Sequence, residues 1–523
     1  MEYFKLTAAM HNLGCKVNAY EADAMLEELR HAGIRIVPWE GTAADIYIIN
    51  TCSVTNIADR KSRQMIHKAR SMNPAAVVIA VGCYVQARAA ELQADTAVDI
   101  LVGNQEKGRL LPILSAYWAS HPDRVPPSVR LSDANADDQS VHTDLTDVAS
   151  AARSSGDAVD WTDAPAASSS DAADRTEVSG QEHTALSKAA CFVSDIAQPQ
   201  PYAELWAGEI ADQGRAFIKV QDGCNQFCAY CIIPYVRGRI RSRSIEDTVK
   251  EVTDFARRGY HEVVLTGIHL SSYGLDFDHA NYEYAMNHEI PSEHLLGLIR
   301  AVAAVPGIER VRLGSLEPRI ITAHFVEALR TIPELCPHFH LSLQSGSDRI
   351  LMAMNRHYDT AAFRHSVALL RAAWTDVAVT TDVIVGFPGE SDADFEDSYR
   401  FAEEIGFYEL HVFRYSRRQG TAADRMPGQL TDRVKAERSD RLMKLDERQS
   451  DAFRRRFLGR TEDVIPEEIV HIEGRPYLRG YNRCYVRYLI PVSDASEGAC
   501  KIGQIMQVCG QEICGGCVLA LVL

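Results

Sequence analysis

The sequence predicts an α/β protein in three parts: an open parallel sheet first, a partial (β/α)6 barrel in the middle, and a small strand-rich domain at the end. Three observations lead there. Short apolar segments alternate with helix-like stretches from residue 4 to about residue 119. The alternation resumes after residue 213 and runs through six βα repeats. From Gly459 onward the pattern is strand-like alone.

A chain of 523 residues has room for two to four domains. No run of about 18 apolar residues occurs, and the opening Met-Glu-Tyr-Phe-Lys lacks a basic-then-apolar leader pattern. The expectation is a cytoplasmic protein with no membrane segment. Thirteen cysteines in a reducing compartment point to metal ligation and buried thiols, not disulfides. The net charge of −16 argues against a generally RNA-binding surface, so its distribution matters.

In the first domain, residues 1–118, strands are expected at Phe4–Met10, Asp45–Asn50 and Ala76–Val81. Helices are expected at Ala19–Ala32, Asn56–Ser71 and Lys107–Ala119. One cysteine follows each strand: Cys15, Cys52 and Cys83. Ligands of open α/β sheets bind beyond the carboxyl ends of the strands, so the three thiols can converge into one iron–sulfur site. A single cysteine of this kind is ordinarily a small buried hydrophobe.

The composition changes abruptly in the next stretch, residues 119–212. Between 131 and 200 it carries thirteen acidic and three basic residues among long runs of Ala, Ser, Asp and Thr. So little apolar surface cannot offset the entropy of ordering, and a disordered, solvated linker is expected. It accounts for most of the negative charge. Cys191 and His183, inside it, receive no role.

The barrel, residues 213–445, opens with the apolar strand Arg215–Gly223. The loop that follows carries Cys224, Cys228 and Cys231, spaced C-x3-C-x2-C. Three thiolates so close together can ligate three irons of a [4Fe–4S] cube and leave the fourth open to a ligand. Zinc normally takes four ligands in two C-x2-C pairs, and no second pair follows. Arg237, Arg239, Arg241 and Arg243 occupy alternate positions after the loop. An extended run of this kind points every guanidinium to one side, suited to phosphates or to plain solvation.

Further repeats follow in order. A helix at 244–258 is capped by Ser244, with Glu246 and Asp247 in its first turn. Strands are expected at Glu262–Leu265, Arg310–Leu313, Phe339–Leu343, Ala378–Ile384 and Glu409–Phe413. Helices are expected near Ser292–Ala304 and Thr322–Thr331, then at Ala361–Ala373 and Asp392–Ile405. Cys336 lies just before a buried strand and reads as core. The strand ends carry Gly, carboxylate and amide residues, which permit close backbone approach and can bind hydroxyls or an ammonium.

The tail, residues 446–523, begins with the end of a helix spanning 430–456, which holds nine basic and six acidic residues. The strands after it interleave tyrosines with arginines between Arg475 and Tyr488, as RNA-stacking surfaces do. Overall this tail is not basic, with six basic and eight acidic residues from 459 onward. Cys509, Cys514 and Cys517 sit in apolar surroundings and read as buried or incidental thiols.

The run Gly223-Cys-Asn-Gln-Phe-Cys-Ala-Tyr-Cys231 and the arginines after it resemble the cluster loop of radical S-adenosylmethionine (SAM) enzymes. More narrowly they resemble the methylthiotransferases, which add a methylthio group to tRNA adenosines or to a ribosomal protein. Residues 11–104 resemble that family's amino-terminal domain, and the tail resembles the OB-like TRAM barrel that grips tRNA. The resemblance implies two [4Fe–4S] clusters, held by Cys224, Cys228 and Cys231 and by Cys15, Cys52 and Cys83. It also implies two uses of SAM, as methyl donor and as radical source, with the radical acting at adenine C2. The order of the strand ends implies Thr266, Gly267, Ser315, Glu317, Gln344, Asp382 and Arg414 as cofactor-binding residues. Met354–Tyr358 and Tyr415–Thr421 also resemble stretches of the family.

The form Gly14-Cys-Lys-Val-Asn18 resembles the branch that converts N6-threonylcarbamoyladenosine at position 37 of tRNA to its 2-methylthio derivative. The isopentenyladenosine branch usually has Gln-Met after this cysteine, and the ribosomal-protein branch Pro-Lys. Implied partners are the tRNA anticodon loop, a sulfur donor, and a reductant such as flavodoxin or ferredoxin. A reading of another class is a non-catalytic iron–sulfur RNA-binding protein.

Overall fold

The computed structural model describes residues 6–41, 43–126, 189–198, 200–208, 214–278, 284–285, 288–492 and 502–523. They divide into two compact units. The first comprises Met1–Gly14, Met25–Ser53 and Ile57–Asp195, and the second Cys15–Ala24, Val54–Asn56 and Ile196–Leu523.

The first unit holds a six-stranded, wholly parallel sheet. Its strands are β1 (Thr7–Asn12), β2 (Arg35–Ile36), β3 (Ile46–Thr51), β4 (Val77–Gly82), β5 (Ile100–Val102) and β6 (Ala190–Phe192), in the order β2-β1-β3-β4-β5-β6. Every residue of β3 and β4 is buried, as central parallel strands covered on both faces must be. One face packs against Met25, Leu29, Leu110 and Leu114, the other against Ile66, Ala69, Val85 and Leu92. Each fully buried aliphatic side chain of this kind contributes about 1.5–3 kcal/mol.

Here the expectation for residues 119–212 needs correcting. The acidic run from 131 to 188 lies outside the described residues, but its flanks are built into the fold. β6 pairs with β5, and Ile196, Leu205 and Ala207 are buried. The Tyr202 hydroxyl donates to Lys219 O at 2.6 Å. A few apolar residues spaced through a polar stretch find partners contributed by distant parts of the chain, which composition cannot reveal.

In the second unit β7 (Arg215–Asp222), β9 (Glu262–Gly267) and β10 (Arg310–Leu313) run parallel, and β8 (Arg241–Ser242) pairs antiparallel with β7. β11 (Ser315–Leu316), β12 (His338–Leu341), β13 (Ala378–Val385) and β14 (Glu409–Arg414) form a second parallel set. The two sets are joined through Val311, whose N–H donates to Glu334 O at 2.8 Å and whose carbonyl accepts from Cys336 N at 2.9 Å. This is the expected partial barrel. Ser244, Thr322, Asp359, Ser391 and Thr431 each cap a helix by accepting a backbone N–H.

The tail closes into a five-stranded barrel, β15 (Thr461–Ile472), β16 (Arg475–Tyr481), β17 (Arg487–Pro491), β18 (Met506–Cys514) and β19 (Cys517–Val522), in the order β15-β16-β17-β19-β18. Several of its tyrosines and arginines are engaged within the protein and not in the open stacking surface expected, while Arg475 is exposed. Tyr488 is buried, Tyr481 stacks on Tyr485 with centroids 4.6 Å apart, and Arg483 donates to backbone carbonyls of residues 333 and 335. Among the tail cysteines Cys517 is buried, Cys509 half-buried and Cys514 exposed. No helix among the described residues is long and apolar enough to cross a membrane.

Candidate active site

The three-cysteine loop leaves β7 through Gly223, whose φ is +69°. A Cβ there would stand 1.8 Å from Arg239 O, so the turn admits glycine alone. Backbone bonds hold the loop: Cys224 N to Gly238 O at 3.0 Å, Ala229 N to Met354 O at 2.9 Å, and Ala423 N to Ala229 O at 2.7 Å. The Asn355 amide donates to the carbonyls of Gln226 and Phe227.

The thiols are crowded. Burial and the Cys228 thiol beside it push Cys231 up to about 12. Burial, then Cys228 and Cys231, push Cys224 higher still. A thiol set in which Cys228 opposes the ionisation of Cys224 and Cys231 is a donor set that a multiply charged iron–sulfur group satisfies, with release of protons. The donor set therefore fits the cluster. Arg356 Nη1 donates to Cys228 Sγ at 3.3 Å, placing a fixed cation beside the sulfur. The sequence reading marked the stretch holding Arg356 without giving this residue a role.

Gln344, Asp382 and Arg414 line one cavity of about 220 Å³ together with Cys231. Ile232 and Phe413 give it apolar walls. Gln344 adopts φ +67° and is held by its N–H to Asp382 O and by Ile384 N to its own carbonyl, both at 2.8 Å. Val54 and Thr55 complete the lining. Their segment is fastened by Arg418 Nη1 donating to Asn56 Oδ1 at 2.9 Å. Asp382 also faces His340 Nε2 at 3.3 Å.

The other four residues singled out from the sequence do not line this cavity. Thr266 is buried at the end of β9, next to Gly267. The Ser315 hydroxyl pairs with that of Ser342 at 2.9 Å. Glu317 is buried and already committed to His269 Nε2 at 2.9 Å and to Arg319. Burial opposes its ionisation, but the His269 bond and the His269, Arg356 and Arg319 charges outweigh it and hold the carboxyl well below its usual range. Gln221, which the sequence reading missed, links β7 to β9. It donates to Asp222 O and Gly223 O and accepts from His269 N at 2.7 Å.

The alternating arginines also differ from expectation. Arg237 is wholly buried, paired with Glu21 at 2.8 Å and Asp222 at 3.0 Å. Arg241 pairs with Asp222 at 3.3 Å and Arg243 with Glu251. Only Arg239 of the four is exposed. The turn at Arg237, which ends the helix Ile233–Val236, and Gly238 at φ +75° break the extended run that alternation requires.

In the first unit, Thr51 of β3 stands in register with Gly82 of β4. Cys52 and Cys83 therefore leave adjacent strands at one level. Both are buried, and Asn104 Nδ2 donates to Cys83 Sγ at 3.5 Å. Cys15 belongs to the second unit, just before the helix Lys16–His31, and is exposed.

Residues 218–402 match the family model of the Radical SAM superfamily, and residues 7–103 match the one described as Uncharacterized protein family UPF0004. The chain is 33% identical over 503 residues to the threonylcarbamoyladenosine tRNA methylthiotransferase MtaB of Bacillus subtilis (strain 168), covering 96% of this chain and 93% of that protein. It is 31% identical to the protein of that name from Thermotoga maritima, covering 92% and 91%. Against a tRNA-2-methylthio-N(6)-dimethylallyladenosine synthase of Opitutus terrae it is 34% identical, covering 87% and 86%. Among solved structures, the radical SAM methyltransferase TsrM of Kitasatospora setae matches with TM-score 0.47 and 13% identity, over 81% of this chain and 77% of that one.

Proposed function

The chain belongs to the radical SAM methylthiotransferase family, and from that premise we propose that it converts N6-threonylcarbamoyladenosine at position 37 of tRNAs to the 2-methylthio derivative. The observation that carries the reading is its similarity to the Bacillus subtilis enzyme across 96% of the chain. In this reading the protein is cytoplasmic, works on the anticodon loop, and draws on a sulfur donor and a reductant such as flavodoxin or ferredoxin. Residues 1–118 with the returning β6 form the sulfur-handling domain, 213–445 the radical core, and 446–523 the RNA-binding end.

Cys224, Cys228 and Cys231 would hold the first [4Fe–4S] cluster, and Cys15, Cys52 and Cys83 the second. When bound, these groups supply one-electron cleavage of SAM and the sulfur that is inserted. The chain's own residues position the partners. Arg356 offsets the negative charge of the Cys228 sulfur. Gln344, Asp382 and Arg414 present an amide, a carboxylate and a guanidinium in the cavity beside Cys231, suited to the ribose, ammonium and carboxylate of SAM. Gln221 and the Glu317 cluster with His269 fix the β9 end, where Thr266 and Gly267 approach, and Ser315 follows on β11.

The similarity to the Opitutus terrae synthase favours one second reading, dimethylallyladenosine as substrate. Mass spectrometry of tRNA nucleosides from cells lacking this protein decides between them. Loss of the 2-methylthio-threonylcarbamoyl nucleoside alone supports the proposal. Loss of the dimethylallyl counterpart moves the enzyme to the other branch, and loss of a methylthio group from a ribosomal protein refutes the RNA reading.

A further inference from the structure

The second unit contains a concentration of positive charge that the chemistry above leaves unused. Lys16, the first residue of its helix, is solvent-accessible. Its ammonium nevertheless lies between two aromatic rings, 5.6 Å from the Phe217 centroid and 6.0 Å from that of Tyr485. Arg215 and Arg312 stand over the same Tyr485 ring at 5.2 and 5.1 Å, and His338 stacks on it at 4.5 Å. Three cations thus share one ring.

Two of the three are already compensated. Arg215 pairs with Glu467, and Arg312 with Glu262 at 2.7 Å. Lys16 is not: among the described residues no carboxylate forms an ion pair with it. The excess is felt locally. Burial alone would raise the Tyr485 phenol, but the Arg215, Lys16 and Arg312 charges bring it below its ordinary value. Such a cluster of cations favours an anion, and the aromatic rings beside it favour one carried on a partly apolar group.

A series of polar groups runs from the cavity beside Cys231 toward these cations. Asp382, which lines that cavity, faces His340 at 3.3 Å. His340 stacks with His411 at 5.6 Å, and the Lys16 charge is among those that lower His411.

We propose that the Lys16 ammonium receives the carboxylate of the threonylcarbamoyl group on the substrate adenine and so makes the enzyme selective for an acidic N6 substituent. The inference rests on the substrate reading given above. A neutral hydrocarbon substituent would leave the ammonium facing an apolar group with no counter-charge, which discriminates against it. A tRNA backbone phosphate would supply the same anionic chemistry, but it would give no preference between substituents.

The test is binding of anticodon stem-loops to the cluster-loaded protein, read by fluorescence anisotropy. The RNAs carry threonylcarbamoyladenosine, its threoninamide analogue, dimethylallyladenosine or plain adenosine at position 37. Wild type is expected to prefer the carboxylate-bearing RNA over the threoninamide analogue by on the order of 10- to 100-fold. Lys16→Gln should bring that ratio close to one, Lys16→Arg should retain most of it, and the iron content of both variants should match wild type. A ratio unchanged in Lys16→Gln overturns the assignment while leaving the substrate reading intact. Equal weakening of all four RNAs overturns it in favour of phosphate. Wild-type preference for the dimethylallyl RNA overturns the substrate reading, and the assignment with it.

Discussion

Arg356 donates a guanidinium N–H to the sulfur of Cys228 at 3.3 Å, across 128 residues of sequence. Its Nε donates to the Tyr358 hydroxyl at 3.0 Å, which in turn donates to Leu343 O at 3.1 Å. The cation is therefore held in place. Removing it takes positive charge from beside the sulfur, which lowers the reduction potential of a cluster bound there. Arg356→Met should keep nearly all the iron but shift that potential downward in an EPR-monitored titration. An unchanged potential would assign Arg356 to packing alone.

Gly223 makes the turn into the cysteine loop with φ +69° and no room for a Cβ. Gly223→Ala must displace the Arg239 backbone or the loop itself, because backbone cannot yield as a flexible side chain can. The expected outcome is loss of about half the iron, as one of two clusters fails to assemble. The same substitution at Gly459, which has φ +71° and nothing within 4 Å of the added atom, should leave iron content unchanged. Full iron in Gly223→Ala would contradict the steric argument.

The two sets of cysteines should be separable. Replacing Cys224, Cys228 and Cys231 by Ala should abolish formation of 5′-deoxyadenosine from SAM. Replacing Cys15, Cys52 and Cys83 should spare part of that cleavage and stop sulfur insertion. Each triple variant should retain about half the iron. Methylthio product from the second variant would remove these cysteines from the sulfur chemistry.

Glu262 is fully buried among Arg312, Arg310 and Arg215. Burial raises its pKa, but the three guanidinium groups outweigh it and bring it to about 2. A depressed carboxylate adds stability that is present above the unfolded value of about 4.3 and is lost as pH falls toward the folded value. The difference corresponds to about 3 kcal/mol. Wild type should therefore lose midpoint stability in urea faster between pH 5 and 3 than Glu262→Gln, which should start lower because Arg312 loses its counter-charge. Parallel pH profiles would show that Glu262 does not govern acid unfolding.

Much of the architecture was legible without coordinates. The helix Asp392–Ile405 and the strand Arg310–Leu313 match their expected bounds, because period, caps and flanking turns are local properties of sequence. The C-x3-C-x2-C loop was equally plain, since three ligands within eight residues need no tertiary contact to be neighbours. Short elements such as β2, β6 and the helix Cys83–Leu92 were not visible. β2 and β6 carry too few residues for a period to register, the helix Cys83–Leu92 is interrupted by non-helical backbone at Arg88, and partners elsewhere in the chain decide them.

Charge and polarity were where sequence reasoning failed, and for one reason. Arg237 and Arg243 looked like a row for phosphates or for solvent, yet both are buried and paired with Glu21 and Glu251. Glu317 looked like a free ligand-binding carboxylate, yet His269 and Arg319 already engage it. Lys16 was noted only as part of the Gly14–Asn18 stretch, yet among the described residues no carboxylate forms an ion pair with it, while Arg215 and Arg312 beside the same ring are paired. The sequence by itself determined which elements form and which thiols cluster locally, because these follow from neighbours along the chain. Only the tertiary structure decided which charges are compensated, because a counter-charge lies a few ångströms away in space and as many as 252 residues away in sequence, as Glu467 does from Arg215.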